Sequence, residues 1–92
     1  MRIEDHLICE SKEIIGLGDL PTFQVMWEDY QQTDFGRELA WEYIFQKLYI
    51  HAALKKNKHI CEWLDTLYVQ LDPIQQIGIR HTLCYARYLL NV

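Results

Sequence analysis

Apolar residues recur at intervals of three and four along most of the chain, which is the repeat of an α-helix. This pattern predicts helices over about residues 3–15, 20–30, 33–56, 58–71 and 73–90. The four glycines and two prolines fall near the predicted helix ends, and no alternating pattern is long enough to favour a strand. We therefore predict an all-α fold, a compact helical bundle of about five short helices in which residues 1–92 form a single domain.

The first two predicted helices meet at residues 16–18, Gly-Leu-Gly, where glycine favours the end of a helix. Asp19 is placed to cap the second helix, and Pro21 suits its first turn, where a missing N–H costs nothing. Apolar and aromatic residues then follow at helical spacing. They are Phe23, Met26, Trp27 and Tyr30. We expect this face to be part of the core.

The predicted third helix is apolar around most of its circumference between residues 35 and 54. A helix of this kind belongs at the centre of a bundle or at a subunit interface. Thr33 or Asp34 can cap its start, and Asn57 is the candidate for a left-handed residue at its end. We expect the helix at the centre of the fold, and a homodimer with this helix at a two-fold interface is a second expectation.

The fifth helix has the clearest start signal in the sequence. Asp72 and Gln75 are spaced as a capping box, with Pro73 at the first helical position between them. One stripe of the helix is expected to face the core, with Leu83, Ala86 and Leu90 widening it. Its members are Ile74, Ile77, His81, Cys84 and Tyr88.

Charge is distributed unevenly, although the net charge is only −4. Residues 1–34 carry eight acids and two bases, whereas residues 35–58 carry five bases and two acids. The acidic first third should steer the protein toward a partner with a basic surface, and it argues against nonspecific binding to phosphates. The bases include one small patch, Lys55, Lys56 and Lys58. We do not expect nucleic-acid binding, and a regulatory DNA-binding helix-turn-helix built on the last two helices is the alternative.

Histidine and cysteine occur together at i, i+3 spacing in two predicted helices, which places both side chains of a pair on one helix face. If the first and fifth helices were adjacent, His6, Cys9, His81 and Cys84 could form a tetrahedral zinc site. Buried cysteine and a hydrogen-bonded histidine explain the same residues without a metal, and we expect none.

Three cysteines at irregular spacing, after a start that lacks the apolar run of a signal peptide, predict an intracellular protein. No apolar run is long enough to span a bilayer, so we expect no membrane association.

The sequence does not favour an enzyme. It has one serine, Ser11, and it lacks the glycine-rich loops that bind phosphates or dinucleotides, so we expect no cofactor. Glu38 and Glu42 could bind a cation together, but we expect them to lie on an exposed helix face instead.

Aromatic residues are the strongest indication of function. Three Trp, six Tyr and three Phe are more than a core of this size easily encloses, and aromatic residues left at the surface are common anchors of interfaces. The sequence thus predicts a protein–protein interaction module, an adaptor or an inhibitor of a larger protein, of the small acidic type also carried by viruses and mobile elements. Some of six aromatic residues should be partly exposed as anchors. They are Trp27, Tyr30, Trp41, Tyr49, Tyr85 and Tyr88.

Overall fold

The computed structural model describes residues 3–91, apart from the side chains of residues 35 and 37. These residues form five α-helices and one short 3-10 helix. The α-helices are α1 (Ile3–Leu17), α2 (Leu20–Gln32), α3 (Trp41–Leu54), α4 (Lys58–Tyr68) and α5 (Pro73–Asn91), and the 3-10 helix is Phe35–Glu38. The predicted all-α bundle is confirmed. None of the helices within residues 3–91 is long and apolar enough to cross a membrane.

Helix α3 is the centre of the fold, as its all-round apolar sequence predicted. Helices α1, α4 and α5 pack against it, and α2 packs on α1 and on the 3-10 helix. Ile44, Leu48, Ala52 and Ala53 of α3 are fully buried. Small side chains allow two helix backbones to approach closely, and Ala86 of α5 is also fully buried.

The connection between α1 and α2 has the predicted form. Gly18 adopts a left-handed conformation with φ of 71°, which glycine allows without steric cost. The carboxylate of Asp19 then accepts the backbone N–H of Thr22 at 3.2 Å, so the predicted cap of α2 is present. Phe23 and Trp27 of the predicted aromatic face are buried in the core.

The third helix begins later than the sequence pattern indicated. Residues 35–38 form a 3-10 turn, in which the hydroxyl of Thr33 accepts the N–H of Gly36, and α3 starts only at Trp41. Leu39 between them is extended and buried, and the indole of Trp41 donates to the Gly36 carbonyl at 2.6 Å. The chain therefore leaves the helical path at Leu39, and this side chain enters the core. Its burial stabilises the fold, and the spacing of apolar residues along one helix does not reveal it.

At the end of α3 the left-handed residue is Lys56, with φ of 58°, and not Asn57 as the sequence suggested. The N–H groups of Lys56 and Asn57 donate to Ala53 and Ala52, which is the Schellman pattern of a helix end. The Asn57 side chain instead caps α4 by accepting the N–H of Ile60 at 3.1 Å. Asparagine serves better as a cap acceptor than lysine, which leaves Lys56 with the strained position.

The fifth helix is rotated relative to the prediction. The stripe expected to face the core lies on the solvent side, and the buried residues are Ile79, Leu83 and Ala86. Helix α5 carries two apolar stripes on nearly opposite sides, and helical periodicity cannot say which one packs inward. The stripe with the small residue Ala86 packs inward, which is the one that allows a close approach to α3.

Candidate functional site

The outer stripe of α5 is the most extensive apolar surface on a single helix of the described chain. We use this name for the set of exposed residues along its solvent side, Ile74, Ile77, His81, Cys84, Tyr85 and Tyr88. The exposed fraction is 83% for Ile74, 70% for Ile77, 56% for Tyr85 and 66% for Tyr88. Single exposed apolar residues are ordinary, whereas four large ones on the solvent side of one helix are not.

The spacing within the outer stripe is that of a helix–helix seam. Residues 74, 77, 81, 84 and 88 are separated by three, four, three and four positions, which is the a and d pattern of a heptad repeat. At 1.5 Å per residue the row is about 21 Å long. The inner face of the same helix is already occupied by the core, so this seam is available for a second helix.

Contacts near both ends of α5 fix the orientation in which the stripe is presented. Near the start, the Gln76 side chain donates to the carbonyls of Tyr68 and Leu71, each at 3.1 Å. Near the end, the Lys56 ammonium donates to the Leu89 carbonyl. In the middle, the Thr82 hydroxyl donates to Gln46 of α3 at 2.7 Å. The helix is therefore held against α3 and the end of α4.

A polar network next to the stripe connects three helices. The Tyr49 hydroxyl of α3 donates to Asp65 of α4 at 2.7 Å, and Arg87 of α5 lies 3.5 Å from the same carboxylate oxygen. Burial, followed by the hydrogen bond to Asp65, raises the pKa of Tyr49 well above its usual value. The phenol therefore stays protonated and remains a donor.

The edge of the outer stripe is basic. Helix α5 contains Arg80, His81 and Arg87 and has no acidic residue over its 19 positions. Arg87 is engaged with Asp65, whereas the Arg80 side chain makes no ion pair with any residue in 3–91. The flank that carries Arg80 is thus basic, whereas the Glu42 carboxylate of α3 lies close to Gly78 on the other flank of the stripe.

The predicted aromatic anchors divide into three groups. Tyr85 and Tyr88 are exposed on the outer stripe, as expected. Trp27 and Tyr49 are buried, with only 3% and 1% exposed, so they cannot act as surface anchors in this structure. Tyr30 and Trp41 are half-buried and pack against the core. The bundle encloses more aromatic surface than composition suggested, because several of these rings contact one another in tilted or edge-on pairs.

The tryptophans form one cluster. The ring centroids of Trp27 and Trp41 lie 4.9 Å apart, and Trp27 meets Trp63 edge-on at 6.1 Å. The Trp27 Nε1 is the one buried side-chain nitrogen or oxygen within the described part of the chain that lacks a hydrogen-bond partner. Leaving such a donor unpaired costs about 1–3 kcal/mol.

The histidine–cysteine pairs do not form the zinc site that was considered. His6 and Cys9 are on α1, His81 and Cys84 are on α5, and both helices pack on α3. No group of three or more His, Cys, Asp or Glu side chains within residues 3–91 is placed to hold a metal ion. His6 instead lies 2.9 Å from Glu10, one turn further along α1.

The basic patch lies beside the turn between α1 and α2, and its Lys56 also reaches the Leu89 carbonyl near the end of α5. Lys55, Lys56 and Lys58 line a shallow groove of about 500 Å³ beside the turn between α1 and α2. A second shallow groove, of about 520 Å³, contains Glu42.

The three cysteines should differ sharply in reactivity. Cys9 and Cys84 are exposed, whereas Cys61 is buried, and burial followed by Asp65 and Glu62 raises its pKa to about 11. Because the thiolate is the nucleophile, iodoacetamide at pH 8 should label two cysteines quickly and Cys61 at least about 100-fold more slowly. Mass spectrometry of the intact protein over time measures this difference. All three should react alike in urea, and three equal rates in the native protein would contradict the structure.

Comparison with protein-family models, with curated proteins and with solved structures gives no match to this chain. Sequence reasoning assigned Ile74, Ile77, His81 and Cys84 to the core. The signal that could have revealed them was the second apolar stripe of α5. In a small protein, a helix that is apolar on two opposite sides can bury one of them against the core and leaves the other exposed.

Proposed function

We propose that this protein is a protein–protein recognition module and that the outer stripe of α5 is its docking surface. The observation that carries the proposal is the exposed heptad row from Ile74 to Tyr88 on a helix that is fixed from its other side. Burying exposed isoleucine and tyrosine side chains is the main favourable contribution in most protein associations. The tyrosines can also retain hydrogen bonds to water at the rim.

The partner that fits this surface is a single amphipathic helix. A row with three- and four-residue spacing packs best into the grooves of another helix, where each side chain fits between four residues of the partner. The row is about 21 Å long, which corresponds to four turns of helix. Such a contact is at the small end of interface sizes, and it should be reversible.

Charge gives the partner helix a further property. Arg80 lies beside the row and makes no ion pair with any residue in 3–91, and α5 carries no acid, so an acidic residue on the flank of the partner helix would meet a complementary charge. The eight acids of residues 1–34 are on α1, on α2 and in the segments that join and follow these two helices, and none is on α5. Two copies docked antiparallel would bring their Arg80 edges together, and like charges repel. We therefore favour a different chain over a second copy.

The test uses two designed 21-residue peptides with leucine at every a and d position. One has glutamate at all e and g positions and the other has lysine, so that neither pairs with itself at neutral pH. The glutamate peptide should bind with a Kd of about 10–100 µM, as expected of a small interface, and the lysine peptide at least tenfold more weakly. Isothermal titration calorimetry measures both, and sedimentation equilibrium of the protein alone should give a monomer.

The variant Arg80→Glu provides the matched test of charge. The lysine peptide should bind this variant about tenfold more tightly than the glutamate peptide does, which is the reverse of the order in the unmodified protein. For each peptide, the loss of one exposed charge interaction and the gain of the opposite one each contribute up to about 1 kcal/mol. Binding of neither peptide would contradict a helix-docking surface. A dimer that loses its two-fold contact on mutation of the outer stripe would assign the surface to a second copy.

A further inference from the structure

The basic groove lies where α1 and α3 end and α4 begins. Two segments line its volume of about 500 Å³, residues 15–18 and residues 55–59. The second segment contributes three lysines and His59. The first contributes two glycines and Leu17, whose side chain is 82% exposed. None of the described residues in this lining is acidic, so the groove suits an anion.

Two of the three lysines have no partner of opposite charge. The ammonium groups of Lys55 and Lys58 make no ion pair or hydrogen bond with any residue in 3–91, although Glu62 follows Lys58 by one helical turn. The Lys56 ammonium is engaged, but with a neutral group, the Leu89 carbonyl. The positive charge of the groove is therefore not cancelled by side chains of the described chain.

Helix ends cancel only part of this charge. The carboxyl end of a helix is equivalent to about half a negative charge, and the amino end to about half a positive charge. Helices α1, α3 and α5 end near the three lysines, and α4 begins there. The lysines thus leave an excess of about two positive charges. A phosphate monoester at neutral pH carries about −1.5 to −2, which matches this excess.

The groove also offers a hydrogen-bond donor with a fixed position. The Asn57 Oδ1 accepts the N–H of Ile60 at 3.1 Å, and this cap fixes the orientation of the amide. A Cβ at Gly18 would lie 3.5 Å from the Asn57 Nδ2, so the amide nitrogen lies where the two lining segments meet. This nitrogen donates to no residue in 3–91. Its N–H groups remain for an oxygen of a ligand.

We infer that this groove binds a small molecule that carries a phosphate monoester. The phosphate oxygens accept from the ammonium groups of Lys55 and Lys58 and from the Asn57 amide, and the organic part lies against Leu17. The groove has the volume of a small-molecule site and exceeds what a phosphate ion alone would fill. A nucleic-acid strand fits less well, because its phosphates carry one charge each and a long strand would approach Asp19, the next residue after the lining segment 15–18. The site does not depend on the outer stripe of α5.

The probes are phenyl phosphate and phenyl sulfate, which have nearly the same shape and differ by about one negative charge near neutral pH. In ¹H–¹⁵N spectra at low ionic strength, phenyl phosphate should shift the backbone signals of Gly16, Gly18 and Lys58 with a Kd of about 1–5 mM. Phenyl sulfate should bind at least about threefold more weakly because of its lower charge. Inorganic phosphate should also bind at least about threefold more weakly, because it makes no contact with Leu17.

The variant Asn57→Asp keeps an oxygen that can cap α4 and replaces the amide donor by a carboxylate, so the affinity for phenyl phosphate should fall at least about tenfold. Lys47→Gln is the matched control. It makes the same change in net charge at an exposed position of α3 outside the groove, and the Kd should stay within a factor of about two. Circular dichroism checks that both variants fold.

If Asn57→Asp does not fold, the three ligands compared on the unmodified protein still decide the question. The inference is overturned if phenyl phosphate shifts no signal of the groove, or if phenyl sulfate or inorganic phosphate binds as tightly. Equal losses in Asn57→Asp and Lys47→Gln would assign binding to net charge alone, which also overturns it. A single-stranded DNA that binds the groove more tightly per phosphate than phenyl phosphate would make the ligand a nucleic acid instead.

Discussion

Replacing Ile77 by aspartate should abolish binding of the glutamate peptide while leaving the fold intact. Ile77 is the second residue of the row and is 70% exposed, so the unfolding free energy should change by no more than about 0.5 kcal/mol. In a complex the same position is buried, and exchanging an apolar side chain worth about 1.5–3 kcal/mol for an unpaired charge should weaken binding at least 100-fold. Calorimetric titration measures the loss, and thermal unfolding followed by circular dichroism checks the fold.

The control for this variant is Val25→Asp. Val25 is 58% exposed on α2, so this substitution also replaces an exposed apolar side chain by aspartate, but on a different helix. Peptide affinity should remain within a factor of two. Equal losses in the two variants would mean that negative charge alone, and not the outer stripe, controls binding. Full affinity in Ile77→Asp would remove α5 as the docking surface.

Gly36→Ala should destabilise the protein by about 2–4 kcal/mol, the largest effect expected of a single added methyl group in this chain. A Cβ at this position would lie 1.9 Å from the carbonyl oxygen of Tyr30 and 2.9 Å from the Thr33 hydroxyl oxygen. The first of these is a backbone atom and cannot rotate away. The Gly36 carbonyl also accepts the Trp41 indole, so movement of residue 36 would disturb the tryptophan cluster.

Urea denaturation gives the change in unfolding free energy, and the melting temperature should fall by about 8 °C or more, given about 4–8 °C per kcal/mol for a domain of this size. The matched control is Gly16→Ala. Gly16 is within α1, and a Cβ there would meet nothing within 4 Å. Alanine is the better helix former, so this variant should be more stable by up to about 1 kcal/mol. A neutral Gly36→Ala would show that the turn before α3 adopts another path.

Much of the local structure follows from the sequence because its causes are local. The Asp19 side chain needs only Thr22 three residues away to cap α2, and the side chain of Gln75 reaches back to the N–H of Asp72 at 3.2 Å, as the capping-box spacing indicated. The central place of α3 also follows from the sequence, since a helix that is apolar on every side has to be surrounded.

The tertiary structure alone decided which side of α5 faces the core. Both stripes of that helix are apolar, and the choice between them depends on whether Ala86 or the larger Ile77 and Tyr88 meet α3, a matter of close packing between helices distant in sequence. The same holds for the late start of α3, where burial of Leu39 outweighs continuation of the helix. It also holds for a cavity of about 190 Å³ that three helices form together, with Trp27 of α2, Trp41 of α3 and Leu67 of α4 in its lining. The sequence by itself therefore determined the helices and the central one among them. The surface offered to a partner was decided by packing, because periodicity records which residues share a helix face but not what that face meets.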